Sequence, residues 1–124
     1  MELLRAGVLG GVRVVVAGGG PLGAAVEERA GALGAEVERL EVDPAGEEPE
    51  NPERADVLVW DGDGALAAGG AGVKGVRAAL DGAWLAVRPL ANRAWIEPGA
   101  PGGRIVLLAP RPGDPHREAA RAGL

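Results

Sequence analysis

Four stretches of the chain are apolar, and between them the spacing of apolar residues shifts from strand-like to helical. The runs VRVVVA at 12–17, DVLVW at 56–60 and RIVLLA at 104–109 are nearly continuous in hydrophobicity. That is the pattern of parallel strands covered on both faces. EVERLEV at 36–42 instead interposes Glu38, Arg39 and Glu41, which predicts an edge strand with solvent access. Between the first two runs, Leu22, Val26, Ala30 and Leu33 recur at helical spacing, and Gly34 follows as a stop. Residues 12–42 therefore read as a βαβ unit.

Further on, Val73, Val76, Leu80, Trp84, Val87, Ala91 and Trp95 fall three or four apart, predicting one long amphipathic helix over 73–96 with a kink at Pro89. PHREAARAGL at 115–124 reads as the opening of another helix, and DPAGEEPENPER at 43–54 as an acidic, proline-broken crossover loop. With no internal repeat, residues 1–124 read as a single domain. Alternating strands and helices imply an α/β class, a small doubly wound parallel sheet of about four strands. Right-handed crossovers give the order 2-1-3-4, with the first helix on one face and the long helix on the other.

Composition narrows the chemistry. The 124 residues carry a net charge of −5 with no cluster of basic residues, which argues against a nucleic-acid partner. The first twenty residues contain no long apolar run, so neither signal peptide nor membrane span is expected, and the lack of cysteine fits a cytoplasmic location. The chain contains no Ser, Thr, Tyr, Cys, Phe or Gln, one lysine (Lys74) and one histidine (His116). Hydroxyl and thiol nucleophiles and a tyrosine acid are thereby excluded.

The stretch VVVAGGGPLGAAV at 14–26 places Gly18, Gly20 and Gly23 in a G-x-G-x-x-G spacing that follows a strand, opens a helix and lies within a βαβ unit. In that context the pattern is a dinucleotide fingerprint of a Rossmann-like fold. The first glycine turns the chain, the second admits pyrophosphate, and the third packs helix on strand. Amides at the helix N-terminus would hold the phosphates. Glu41 or Asp43 stands where the fingerprint requires an acid for the ribose hydroxyls, and a carboxylate there favours NAD over NADP. A glycine-rich corner that binds nothing is the competing reading.

These segments resemble the short-chain dehydrogenase/reductase family. VVVAGGGPLGAAV is similar to its first strand and glycine turn, GALGAEVERLEVD to its second strand with Glu41 at the ribose acid, and ADVLVWDGDG to its Asp-Val-Leu-Val-Asn-Asn-Ala-Gly segment. VRAALDGAWLAVRPLA resembles the long helix that follows, with Asp81 in place of a structural and catalytic Asn. GGRIVLLAPRPG resembles the next strand, with Ala109 and Pro110 where the catalytic Ser belongs. The resemblance implies NAD(P) contacts at Gly18, Gly20, Leu22, Gly23, Glu41 and Asp61.

The family's Tyr-x-x-x-Lys pair, however, is represented by Arg117 and Arg121, so no catalytic residue is assigned. The family's third strand and its helix are replaced by the short acidic loop, and its last two strands have no counterpart here. Self-association, or pairing with a related dehydrogenase subunit, is expected through the long helix 73–96 and an apolar edge strand 104–109. Trp84 and Trp95 belong either to that seam or to the helix's own sheet.

Asp61 and Asp63 in WDGDG could hold a hard cation, but a polar turn is the better reading, and no metal site is assigned. His116, without a second His or Cys, reads as a helix-start residue, and Lys74 as solvated surface. The expectation is therefore a short-chain-dehydrogenase-like domain, non-catalytic alone, that binds NAD(P) or serves as a scaffold subunit. Two alternatives stay open: an NAD-dependent oxidoreductase completed by another chain or by downstream sequence, and a flavodoxin-like interaction domain without a nucleotide.

Overall fold

The computed structural model describes residues 4–42, 49, 51–70 and 72–124. Its centre is a four-stranded, all-parallel sheet of β1 (Arg13–Ala17), β2 (Glu36–Leu40), β3 (Val57–Asp61) and β4 (Arg104–Leu108), in the order β2-β1-β3-β4. Val15 of β1 stands level with Glu38 and with Leu58, and Leu58 level with Ile105, so the carboxyl ends of all four strands lie along one side of the sheet. Helices α1 (Pro21–Ala32), α2 (Gly62–Ala68), α3 (Val73–Ala91) and α4 (Pro115–Gly123) complete a Rossmann-like α/β fold. Asp43 and most of the acidic loop, residues 43–48 and 50, lie outside the described residues.

Alternation along the central strands sorts their side chains onto two faces. Val14 and Val16 of β1 and Val59 of β3 meet Val26 and Ala30 of α1. On the other face Val15, Ala17, Leu58 and Trp60 pack with Leu66 of α2, Ala79, Ala86 and Leu90 of α3, and Ala120 of α4. The first helix and the long helix thus take opposite faces, as the crossover rule requires. Trp60 settles this second face: its ring covers Gly82, where a Cβ would come within 2.5 Å of it, and its indole N–H donates to Ala79 O at 3.1 Å.

One segment departs from the sequence expectation. The WDGDG stretch is the end of β3 and the first turn of α2, and not a polar turn. Two glycines in its first turn disfavour a helix on propensity alone. A cap from Asp61 and burial of Ala65 and Leu66 against α3 override that preference. The long helix, for its part, continues past Pro89 to Ala91 and passes into a π-helical turn, Asn92–Ile96, so helical backbone spans the whole of 73–96. A proline lacks the donor for the preceding carbonyl, and the wider turn follows directly after it.

Both edge strands are open. β2 exposes Glu36, Glu38 and Arg39 while Leu40 is buried. β4 is apolar yet leaves Ile105, Val106 and Leu107 about 40% exposed, at 43%, 42% and 39%. The two candidate seam tryptophans divide. Trp95 is buried and donates to Ala55 O at 2.7 Å, anchoring the helix to its own sheet. Trp84 is 63% exposed, with the Arg88 guanidinium 5.7 Å from its ring centroid. No helix among the described residues is long and apolar enough to cross a membrane.

Candidate functional site

The glycine turn joins β1 to α1 at the carboxyl edge of the sheet. Gly18 has φ 101°, a left-handed conformation that side chains disfavour, and a Cβ there would lie 2.5 Å from Asp61 O. At Gly20 a Cβ would lie 2.5 Å from Gly64 Cα and 2.8 Å from Asp61 Oδ2. At Gly23 it would press on Val16 Cγ1 and Asp61 Cβ at 3.2 and 3.3 Å. Gly64 is equally constrained, because its Cβ would run into Gly19 O. The β1–α1 and β3–α2 corners are therefore pressed together backbone to backbone, and the fingerprint glycines are required by the chain's own packing.

Asp61 holds the two corners. It is wholly buried, its Oδ1 accepts from the Gly64 amide and its Oδ2 from the Gly23 amide, both at 2.8 Å. Each donor is the third residue of its helix, the usual partner of a capping side chain. Gly20 stands at the cap position of α1 and has no side chain to offer, so Asp61 caps α2 in its own chain position and α1 from a distance. Asp61 consequently faces the chain's own backbone, with both oxygens engaged.

Beside this junction lies a cavity of about 650 Å³, within the range of small-molecule sites. Gly18 and Gly19 of the turn, Glu41 and Val42 after β2, and Trp60 at the end of β3 form the sheet-side wall. Ala65 and Ala68 of α2 and Lys74, Arg77, Ala78, Asp81 and Gly82 of α3 form the helical wall. Of the expected cofactor contacts, the structure brings Gly18 and Glu41 to this cavity. Gly20, Leu22, Gly23 and Asp61 are not among its lining residues; Gly20 and Gly23 lie against Asp61, and Leu22 follows Pro21 in the first turn of α1. Lys74, read from sequence as plain surface, is exposed but also lines the cavity. Asp81 lines it too and pairs with Arg77 at 3.3 Å. The small residues Ala78 and Gly82, four apart on α3, were the available sign that this helix face admits something bulky, which at Gly82 is the Trp60 ring.

A second polar cluster ties the C-terminal part together. Asp63, its side chain 4% exposed, accepts from the Arg111 amide at 3.0 Å, the Arg111 guanidinium at 3.3 Å and the Arg117 guanidinium at 2.8 Å. Burial works to raise its pKa, but the Arg111 amide and the two guanidiniums outweigh that and hold its carboxyl below the ordinary aspartate range. Arg121 donates to Pro110 O at 2.8 Å. His116 sits in the first turn of α4, whose cap is Asp114. Among the described residues no group of three His, Asp or Glu is placed to hold a metal ion.

The site therefore offers an alanine- and glycine-lined pocket with a carboxylate at the end of β2, set where open parallel sheets bind ligands. The chain matches no protein-family model and no curated protein.

Proposed function

We propose that this protein is a nucleotide-binding domain of the short-chain dehydrogenase kind, taking the adenosine part of NAD into the cavity and performing no redox step by itself. The observation that carries the reading is the cavity at the carboxyl ends of β1, β2 and β3, with Gly18 and Glu41 both in its wall. Glu41 is exposed at the end of β2, free to accept the ribose hydroxyls, and its charge disfavours the 2′-phosphate of NADP. Absence of hydroxyl side chains supports the non-catalytic half of the proposal. So do Arg117 and Arg121, which stand at the family's Tyr and Lys positions and bind Asp63 and Pro110 O.

The test is a titration with NADH that follows energy transfer from the three tryptophans to the nicotinamide. Saturable transfer, weakened in Glu41→Ala, is expected. No transfer at millimolar NADH overturns the reading.

A scaffold role is favoured by a separate observation, the three consecutive exposed apolar residues of β4. An edge strand with open backbone groups and apolar side chains on both faces is a template for pairing. We infer that β4 is covered by a second subunit, through that edge.

A further inference from the structure

We propose that the cavity grips its ligand by the nucleoside alone, and that Asp61 is the residue that sets this selectivity by occupying the α1 terminus where phosphates would bind. The proposal rests on the nucleotide reading above and specifies the ligand class within it.

A phosphate at a glycine turn is normally held by the first amides of the following helix and by the helix's positive end. In α1 that arrangement is weakened in three ways. The first residue is Pro21, which has no N–H to give. The Gly23 amide is already bonded to Asp61 Oδ2 at 2.8 Å. The group accepting that bond is itself an acid, wholly buried against Gly20 and Gly23, so an incoming phosphate meets a like charge behind the turn.

The cavity does not compensate. Its lining acids, Glu41 and Asp81, are matched by Lys74 and Arg77, and Arg77 is already paired with Asp81. Asp61, outside the lining and behind the glycine turn, adds negative charge on the α1 side of that balance. The groups left for recognition are the Glu41 carboxylate for a ribose diol, the Ala65 and Ala78 methyls for the face of a base, and a single cation, Lys74, outside the Arg77–Asp81 pair. Their ligand is an uncharged nucleoside, or a dinucleotide held only at its nucleoside end.

The experiment is a calorimetric comparison of adenosine, ADP and NADH on the full chain at low ionic strength. Dissociation constants agreeing to within about threefold are expected. ADP or NADH binding more than about tenfold tighter than adenosine overturns the proposal and leaves the nucleotide reading intact. Failure of all three to bind overturns the nucleotide reading, and this proposal with it. Asp61→Asn, which keeps the shape, removes the charge and leaves one of the two backbone amides facing an NH2 group, is expected to tighten ADP relative to adenosine by about fivefold or more. An unchanged ratio in folded D61N removes Asp61 from the explanation. Should D61N not fold, the three-ligand comparison on the unaltered chain decides alone.

Discussion

The carboxylate of Asp61 accepts the Gly23 amide at 2.8 Å across a separation of 38 residues, and so caps a helix that its own strand does not adjoin in sequence. Its other oxygen accepts the Gly64 amide at the same distance. One side chain thereby completes the N-termini of α1 and α2 and fixes the distance between β1 and β3 at their carboxyl ends.

Asp61→Ala leaves both amides without their acceptor in a buried place. Each lost cap costs about 1 kcal/mol, and buried unpaired donors add to that. Urea unfolding is expected to show a loss of about 2–4 kcal/mol. A loss below about 1 kcal/mol would mean that the junction is held by backbone packing alone.

Two glycines on or beside α1 should respond in opposite directions. Gly20→Ala drives a methyl to 2.5 Å from Gly64 Cα, backbone against backbone, and should cost about 1–3 kcal/mol. Gly31→Ala, inside the helix with nothing within 4 Å of the new Cβ, should gain about 0.5–1 kcal/mol. Thermal midpoints of the two variants, measured side by side, check both signs.

Acid should weaken the attachment of α4. Asp63 has its folded pKa lowered, as does Asp114, where the Arg117 amide donates to the carboxylate, and Glu27, where Arg39 forms a bidentate pair at 2.9 and 2.7 Å. A group depressed in the folded state binds its proton more readily when unfolded. Its contribution is complete above the unfolded value, near 4, and is lost as pH falls through the folded one. The melting temperature should thus fall steeply below about pH 4. Asp63→Asn should flatten that limb while lowering stability at neutral pH.

Glu41→Gln tests the ribose contact without disturbing the fold, because Glu41 is exposed. A hydrogen bond to a charged acceptor contributes about 1.5–3 kcal/mol, so NADH affinity should fall by about tenfold or more while urea unfolding stays unchanged. Equal affinity for NADH in the two forms would place the ligand elsewhere.

Val106→Glu places a charge in the middle of the β4 apolar run, where the residue is 42% exposed. Sedimentation velocity should show the wild-type chain associating and this variant reduced to monomer. A monomeric wild-type chain would remove the second subunit from the account.

The sheet was legible because its strands are coded redundantly. Three continuous apolar runs and one polar-interrupted run define two central strands and their neighbours, and chirality does the rest. The helix α2 was not legible, since the two glycines that argue against a helix are required by its packing: Gly64 lets it approach the glycine turn, and Gly62 lies against Leu108 O and Leu124. The spacing of Gly18, Gly20 and Gly23 showed where backbone must approach closely, but not what approaches. That partner is Gly64 with Asp61, distant in sequence and visible only once β3 lies beside β1. Trp95 and Trp84 share a periodicity but not a fate, because Trp84 lies on α3 with its side chain exposed, whereas Trp95 lies in the π-helical turn that follows and is buried against Gly103 and Ala55. Lys74 read as solvated surface and Asp81 as the substitute for a family Asn, because the cavity they border forms only when α3 meets the end of β2.

The placing of β1 has a consequence for how the chain assembles as it is synthesised. β1 pairs on one side with β2, reached through a single helix, and on the other with β3, which lies much further along. The first pairing can form early, yet the α1 terminus inside it is capped only by a side chain at the end of β3. The opening βαβ unit is thus incomplete when it emerges and closes when residues 57–61 arrive. Because closing a longer loop costs more chain entropy, docking of β3, and of β4 beyond it, is expected to set the folding rate. The two halves of the sheet should then appear together, in one kinetic phase.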